Sequence, residues 1–173
     1  MATMPQVDSF RELVDFLDAL TGRPRREQFE PLMRRLDVSC DDLADFMIFD
    51  EQHYRRNLVC EGAHYHMLVL CWRSGQRSPI HNHAQSICGL KVLTGVATET
   101  IFERSPCGLM KAVVSRDCPA GSICVSEDSD THQVSNLQPA GVDLATLHIY
   151  APPLTRMETY SITDGWVGEY APQ

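Results

Sequence analysis

No stretch of this 173-residue chain is long and apolar enough to cross a bilayer. The longest uninterrupted apolar run is Met67 to Trp72, so no membrane partner is expected. Met1 to Ser9 is short and polar and lacks the charged–apolar–small pattern of a secretory signal, so none is expected. Basic charge is also scarce. Fifteen Lys and Arg against 23 Asp and Glu give a net charge of −8, and the arginines are scattered, which argues against a nucleic-acid-binding face. The seven cysteines are odd in number and include no CxxC pair, while a chain of this length can bury a core without staples. Reduced thiols in a cytoplasmic protein are the expectation. No repeat, low-complexity tract, linker or glycine-rich phosphate loop appears. What remains is an ordinary composition, 43% hydrophobic and 22% charged, read as one domain over residues 1–173 and as a monomer.

The chain divides by texture. Residues up to about 50 read as helical. Ser9 and Glu12 form a capping-box pattern ahead of an apolar stripe at Phe10, Leu13, Val14, Phe16, Leu17 and Leu20, with Gly22 as a stop. A second helix is expected from about Pro24 to Leu36, bent or divided at Pro31, and Ser39 to Asp42 caps a short third one ending near Met47. From Tyr54 to about residue 165, eight short β-rich runs alternate with turns: Arg56–Val59, His64–Trp72, Ser86–Leu93, Thr98–Phe102, Ala112–Ser115, Ser122–Val125, Ala145–Tyr150 and Glu158–Ile162. The pattern predicts a mainly β fold, a β-barrel or jelly roll with the N-terminal helices packed outside.

His81-Asn82-His83 carries the most chemical information. Residues two apart on a strand share a face, so both imidazoles can reach one metal ion. Gly75, His81, His83, Cys88 and Gly95 give G-x5-H-x-H-x4-C-x6-G, which resembles the first cupin motif with Cys88 where cupins often carry a ligand glutamate. Pro119-Ala120-Gly121 followed by His132 and Asn136 resembles the second, with a longer gap before the histidine. Three neutral imidazoles would leave a divalent ion its full charge and open positions, which favours an anionic ligand such as a thiolate. The residues alone leave iron, zinc, nickel and manganese open. His64 and His66 also share a strand face but lack a third partner, and they read as solvent-facing or structural, while His53 has no motif support.

The segments Tyr54–Val59, Leu70–Trp72, Ile80–His83, Ser86–Gly95 and Leu147–Pro153 resemble cysteine dioxygenase of type I, in the cupin superfamily. The resemblance implies one iron(II) per chain held by His81, His83 and His132. It implies Arg56 on the substrate carboxylate, Tyr54 lining the same pocket, and His148 with Tyr150 as two members of a serine-histidine-tyrosine relay. Thr146 stands where that relay usually has serine; its hydroxyl can still hydrogen-bond, and its extra methyl can shift the histidine. Asn82 replaces an aspartate and is expected to point away from the site. Cys88 and Tyr150 match a pair that some members join by a thioether cross-link, and the bond before Pro152 matches one that is cis. The implied reaction takes L-cysteine and O2 to cysteine sulfinic acid, with the substrate supplying the electrons. The rivals are a 3-mercaptopropionate dioxygenase, whose branch carries glutamine at the Arg56 position, another small-thiol dioxygenase, a non-oxidative metal-dependent cupin, and a non-catalytic binding module.

Overall fold

The apolar stripes at the N-terminus form two helices in the computed structural model, which describes residues 3–127 and 130–171. Helix α1 (Asp8–Asp18) buries Phe10, Leu13 and Leu17, and α2 (Arg26–Arg35) buries Phe29, Leu32 and Met33. Their ends depart from the sequence reading. Ser9 does not cap α1. Its Oγ accepts the Asp37 backbone N–H at 2.9 Å and Glu12 pairs with Arg35, so both side chains tie α1 to the far end of α2. The helix stops at Asp18, short of Gly22, and the Asp18 carboxylate accepts the Tyr65 hydroxyl at 2.9 Å. Helix α2 runs through Pro31 as one element. Pro31 and Glu27 lie on its exposed side, where the carbonyl that proline leaves without an intrahelical partner is closest to water. Ser39 and Asp42 do bond each other's backbone, but the bonds that follow are i to i+3, and the expected third helix is a 3-10 turn at Ala44–Phe46.

Eleven strands follow among the described residues. They are β1 (Arg55–Gly62), β2 (Tyr65–Trp72), β3 (Ile80–His81), β4 (Ile87–Thr94), β5 (Val96–Arg104), β6 (Met110–Pro119), β7 (Ile123–Ser126), β8 (His132–Ser135), β9 (Leu144–Ala151), β10 (Met157–Tyr160) and β11 (Val167–Tyr170). All eight expected strands are among them, while β3, β8 and β11 leave no readable pattern in the sequence. The strands form a five-stranded sheet, β1-β2-β9-β4-β7, and a six-stranded sheet, β11-β10-β3-β8-β5-β6.

The helices decide how the five-stranded sheet reads. Met67, Val69 and Cys71 of β2 and Ala145, Leu147 and Ile149 of β9 pack with the helices. Leu68, Leu70 and Trp72, with Leu144 and Tyr150, turn to the other side and pack with the barrel residues Cys88, Leu90 and Val134. Both strands are therefore apolar on two faces, which is why Met67–Trp72 is an unbroken run rather than an alternation. Gly89 lies where β4 passes under α2. A Cβ there would meet the Phe29 ring at 2.7 Å and the Met33 sulfur at 2.9 Å, so any side chain would force those two helix residues to shift. The opposite face of the same strands looks into the barrel, and it carries the polar side chains described next.

Candidate active site

Antiparallel pairing places His81 of β3 directly opposite His132 of β8, and His83 follows two residues later. The ring centroids lie 4.8 Å apart for His81–His132 and His83–His132 and 5.4 Å for His81–His83, and all three residues are buried. Their outer nitrogens are engaged. His81 Nδ1 donates to Pro79 O at 2.9 Å, His83 Nδ1 to Glu127 O at 3.4 Å, and His132 Nδ1 to Glu99 Oε1 at 2.8 Å. These oxygens can only accept, so each Nδ1 carries the proton and each Nε2 presents a lone pair. One ligand atom from each residue lies within 4.8 Å of the others, and buried His83 Nε2 has no hydrogen-bond partner among the described residues. A buried imidazole lone pair without a donor is costly unless something occupies it, and the three together suit a divalent ion. The donor set thus fits a metal.

Electrostatics favour the neutral ligands. Burial, then the neighbouring His132, pulls His81 well below the usual histidine range and His83 down to about 3. Glu99 is buried on the inward face of β5. Burial opposes its charge, but the hydrogen bond from His132 and two from Arg116, at 2.8 and 2.6 Å, bring its carboxyl to about 2.

These shifts fix the sign of a pH effect. With folded values below the unfolded value of about 6.5, the unfolded chain binds more protons, so stability is full above about pH 6.5 and falls as pH drops toward about 3. The melting temperature of the metal-free protein is expected to fall by about 2–4 °C per pH unit for each such histidine between about pH 6.5 and 5, above the carboxylate range. A flat profile in calorimetry across that window would contradict neutral burial.

Across the cavity stands a hydrogen-bonded row on β9. Trp72 Nε1–H donates to Thr146 Oγ1 at 3.0 Å, Thr146 Oγ1 lies 2.9 Å from His148 Nε2, and Tyr150 Oη lies 3.1 Å from His148 Nδ1. Threonine therefore keeps the histidine bonded through its hydroxyl. Burial, then Arg56, lowers the His148 pKa, and burial, then Cys88, raises that of Tyr150, so both groups are neutral. Cys88 of β4 pairs in register with Tyr150, and its sulfur is 4.0 Å from His148 Nδ1. The Arg56 guanidinium sits 5.5 Å from the centre of the Tyr150 ring, and Tyr54 stacks on Trp72 at 4.2 Å.

One narrow, tightly closed cavity is lined by Tyr54, Arg56, His81, His132, His148 and Tyr150, among others. His83 and Cys88 lie behind this lining, packed against His132 and His148 respectively. All eight residues singled out in the sequence therefore come together. Asn82 points away, bonding Glu158 and Tyr160, and Asn136 bonds the Trp72 and Val142 carbonyls. His66 pairs with Glu61. Among the described residues, His53, His64 and His66 join no ligand cluster. Sequence reasoning missed Glu99 and Trp72. The signal for Glu99 was a carboxylate in phase with Ala97 on a strand; Trp72, inside an apolar run, gave none.

The sequence profile of the family "Cysteine dioxygenase type I" matches residues 6–163. Cysteine dioxygenase type 1 of Danio rerio is 31% identical over 151 residues, covering 80% of this chain and 71% of the relative. The Homo sapiens protein of the same name is 29% identical over 148 residues with the same coverage. Among solved structures, a Thermus thermophilus protein aligns with a TM-score of 0.55 at 15% identity, covering 68% of this chain and 99% of that one. A Klebsiella pneumoniae protein with a double-stranded β-helix domain aligns with a TM-score of 0.51 at 15% identity, covering 80% and 98%. These two likenesses bear on the fold alone, and the fold is the expected cupin-type barrel. No helix among the described residues is long and apolar enough to cross a membrane.

Proposed function

Because the chain belongs to the cysteine dioxygenase type I family, a family of thiol-oxidising metalloenzymes, we propose that it binds iron(II) through His81, His83 and His132 and converts L-cysteine and O2 to cysteine sulfinic acid. The observation that carries the reading is the cavity in which imidazoles of the ligand trio face Arg56. Bound iron would supply the redox capacity and lower the thiol pKa of the substrate. Everything else falls to side chains. Arg56 offers a planar fork of donors to a carboxylate. Tyr54, braced on Trp72, forms a wall beside it. Buried Tyr150 presents a neutral hydroxyl whose position is held by His148, itself held by Thr146 and Trp72. A neutral imidazole has one donor and one acceptor nitrogen, so His148 passes hydrogen-bond direction along the row without taking up charge. The tight, buried cavity keeps bulk water from the reacting sulfur.

The register pairing of Cys88 with Tyr150 supports the thioether cross-link in this chain, and digestion after turnover is expected to yield a peptide joining the two. All seven cysteines are unpaired, in keeping with a cytoplasmic enzyme.

Thiols offered one at a time to the iron-loaded protein test the substrate. Cysteine is expected to give the highest kcat/KM, 3-mercaptopropionate a lower one for want of the amine, and cysteamine the lowest because Arg56 then has no carboxylate to hold. A preference for 3-mercaptopropionate over cysteine would overturn the substrate while leaving the metal site in place.

A further inference from the structure

A second cluster of reactive groups lies beside the first. Cys118, near the end of β6, and Cys124, in β7, place their sulfur atoms 3.9 Å apart, although the two strands belong to different sheets. Cys118 is buried and Cys124 partly open to solvent. Glu99 completes the group, with one ligand atom from each of the three within 4.8 Å of the others. A metal ion is a poor occupant. Both Glu99 oxygens are already taken, by His132 and Arg116, and the Arg116 guanidinium lies 3.9 Å from Cys124 Sγ. Two sulfurs this close, with neither carboxylate oxygen free, suit disulfide exchange better than cation binding.

We propose that Cys118 and Cys124 form a reversible disulfide by exchange with small disulfides, and that its closure draws Arg116 from Glu99 and loosens the seat of His132. The balance is that of thiol–disulfide exchange. The Cys124 thiolate attacks one sulfur of a small disulfide RSSR and expels RS⁻. The Cys118 thiolate then attacks Cys124 in the mixed disulfide and expels the second RS⁻. The dithiol loses two electrons, RSSR gains them, and the two thiol protons pass through solvent to the released thiolates. Cys124 meets the oxidant because it is the more open of the pair. Burial, then the Glu99 carboxylate, pushes its thiol up while Arg116 works the other way, so exchange is slow.

The coupling follows the strand. Arg116 precedes Cys118 by two residues, on the same face of β6, and pairs in register with Glu99 of β5. Moving the sulfur of Cys118 toward β7 displaces the face that holds Arg116 on Glu99. Glu99 is in turn the partner of His132 Nδ1. A substrate thiol would restore the dithiol, so a rise in free cysteine relative to its disulfide would favour the reduced, tightly held site. This last link rests on the reading of His132 as a metal ligand.

The test uses the iron-loaded full chain, incubated with oxidised glutathione or cystine and then digested with trypsin. Cleavage after Arg116 and Arg156 releases residues 117–156, which contain Cys118 and Cys124 and no other cysteine. Exposed Cys107 falls in a different peptide and is read separately. The expected result is a 117–156 peptide, free or joined through Tyr150 to the Cys88 peptide, that is lighter by two hydrogens than the same species from reduced protein and reverts with dithiothreitol. Iron retention against a chelator should weaken about tenfold in the oxidised protein, as for loss of an outer-shell partner. Cys124→Ser and Cys118→Ala should each abolish both changes. A stable glutathione adduct without hydrogen loss, or equal iron retention in both states, would overturn the proposal. So would a second divalent ion per chain that Cys124→Ser loses, which would make the pair a metal site. Failure of any iron to bind would defeat the metal reading of the histidines, while the mass change would still decide the disulfide.

Discussion

Replacing His83 with alanine is expected to empty the site of iron and abolish cysteine-dependent oxygen uptake while the protein stays folded. His83 is fully buried, and its Nε2 has no other partner. Removing it takes away a ligand, not a hydrogen-bonded supporter. Loss of a supporter costs about 10–100-fold in metal affinity, so loss of one of only three protein ligands should exceed that range. Stability should suffer less. The helix-side core of the five-stranded sheet does not involve His83, and alanine removes an unsatisfied buried nitrogen along with some packing. Metal content per chain by atomic emission, with circular dichroism as the control for folding, checks both halves. Wild-type iron content in a folded His83→Ala protein would contradict its role as a ligand.

Arg56→Gln is expected to separate substrate binding from metal binding. A hydrogen bond to a charged group is worth about 1.5–3 kcal/mol, so kcat/KM for cysteine should fall about 10–100-fold. Iron content should not change, because Arg56 reaches the cavity from β1 and touches none of the three ligands through any hydrogen bond. Activity with cysteamine should change little, since it offers no carboxylate. Steady-state kinetics on the three thiols, with iron content measured on the same samples, decide the matter. Iron occupancy falling as far as cysteine affinity would sink this division of labour.

The histidine pair was legible because a two-residue spacing on extended chain has one geometric meaning. His132 was not legible in the same way. It lies 49 residues beyond His83 in the chain, and only the motif resemblance connected them. The two-residue β3 and the four-residue β8 carry His81 and His132, with His83 just beyond β3, and both are too short to show a period, so the sequence marked the ligands better than the strands. Helix ends were misread for another reason. A capping-box pattern at Ser9 is a local signal, and a tertiary partner, the Asp37 backbone, took the hydroxyl instead. Gly89 sat inside a strand pattern with no visible purpose until α2 was placed above it. Thr146 shows the converse. Its sequence position left the effect of the methyl open, and the hydroxyl is fixed by Trp72, a residue whose indole N–H gives no sign in sequence of where it points.

The most direct test of the central claim is turnover of cysteine by the iron-loaded protein under oxygen-18 gas, with the product resolved by mass. The expected product is cysteine sulfinate carrying two heavy oxygen atoms, with one O2 consumed per product and no requirement for an added reductant. Product with one heavy atom or none, or no cysteine-dependent oxygen uptake by protein shown to hold iron, would contradict that claim.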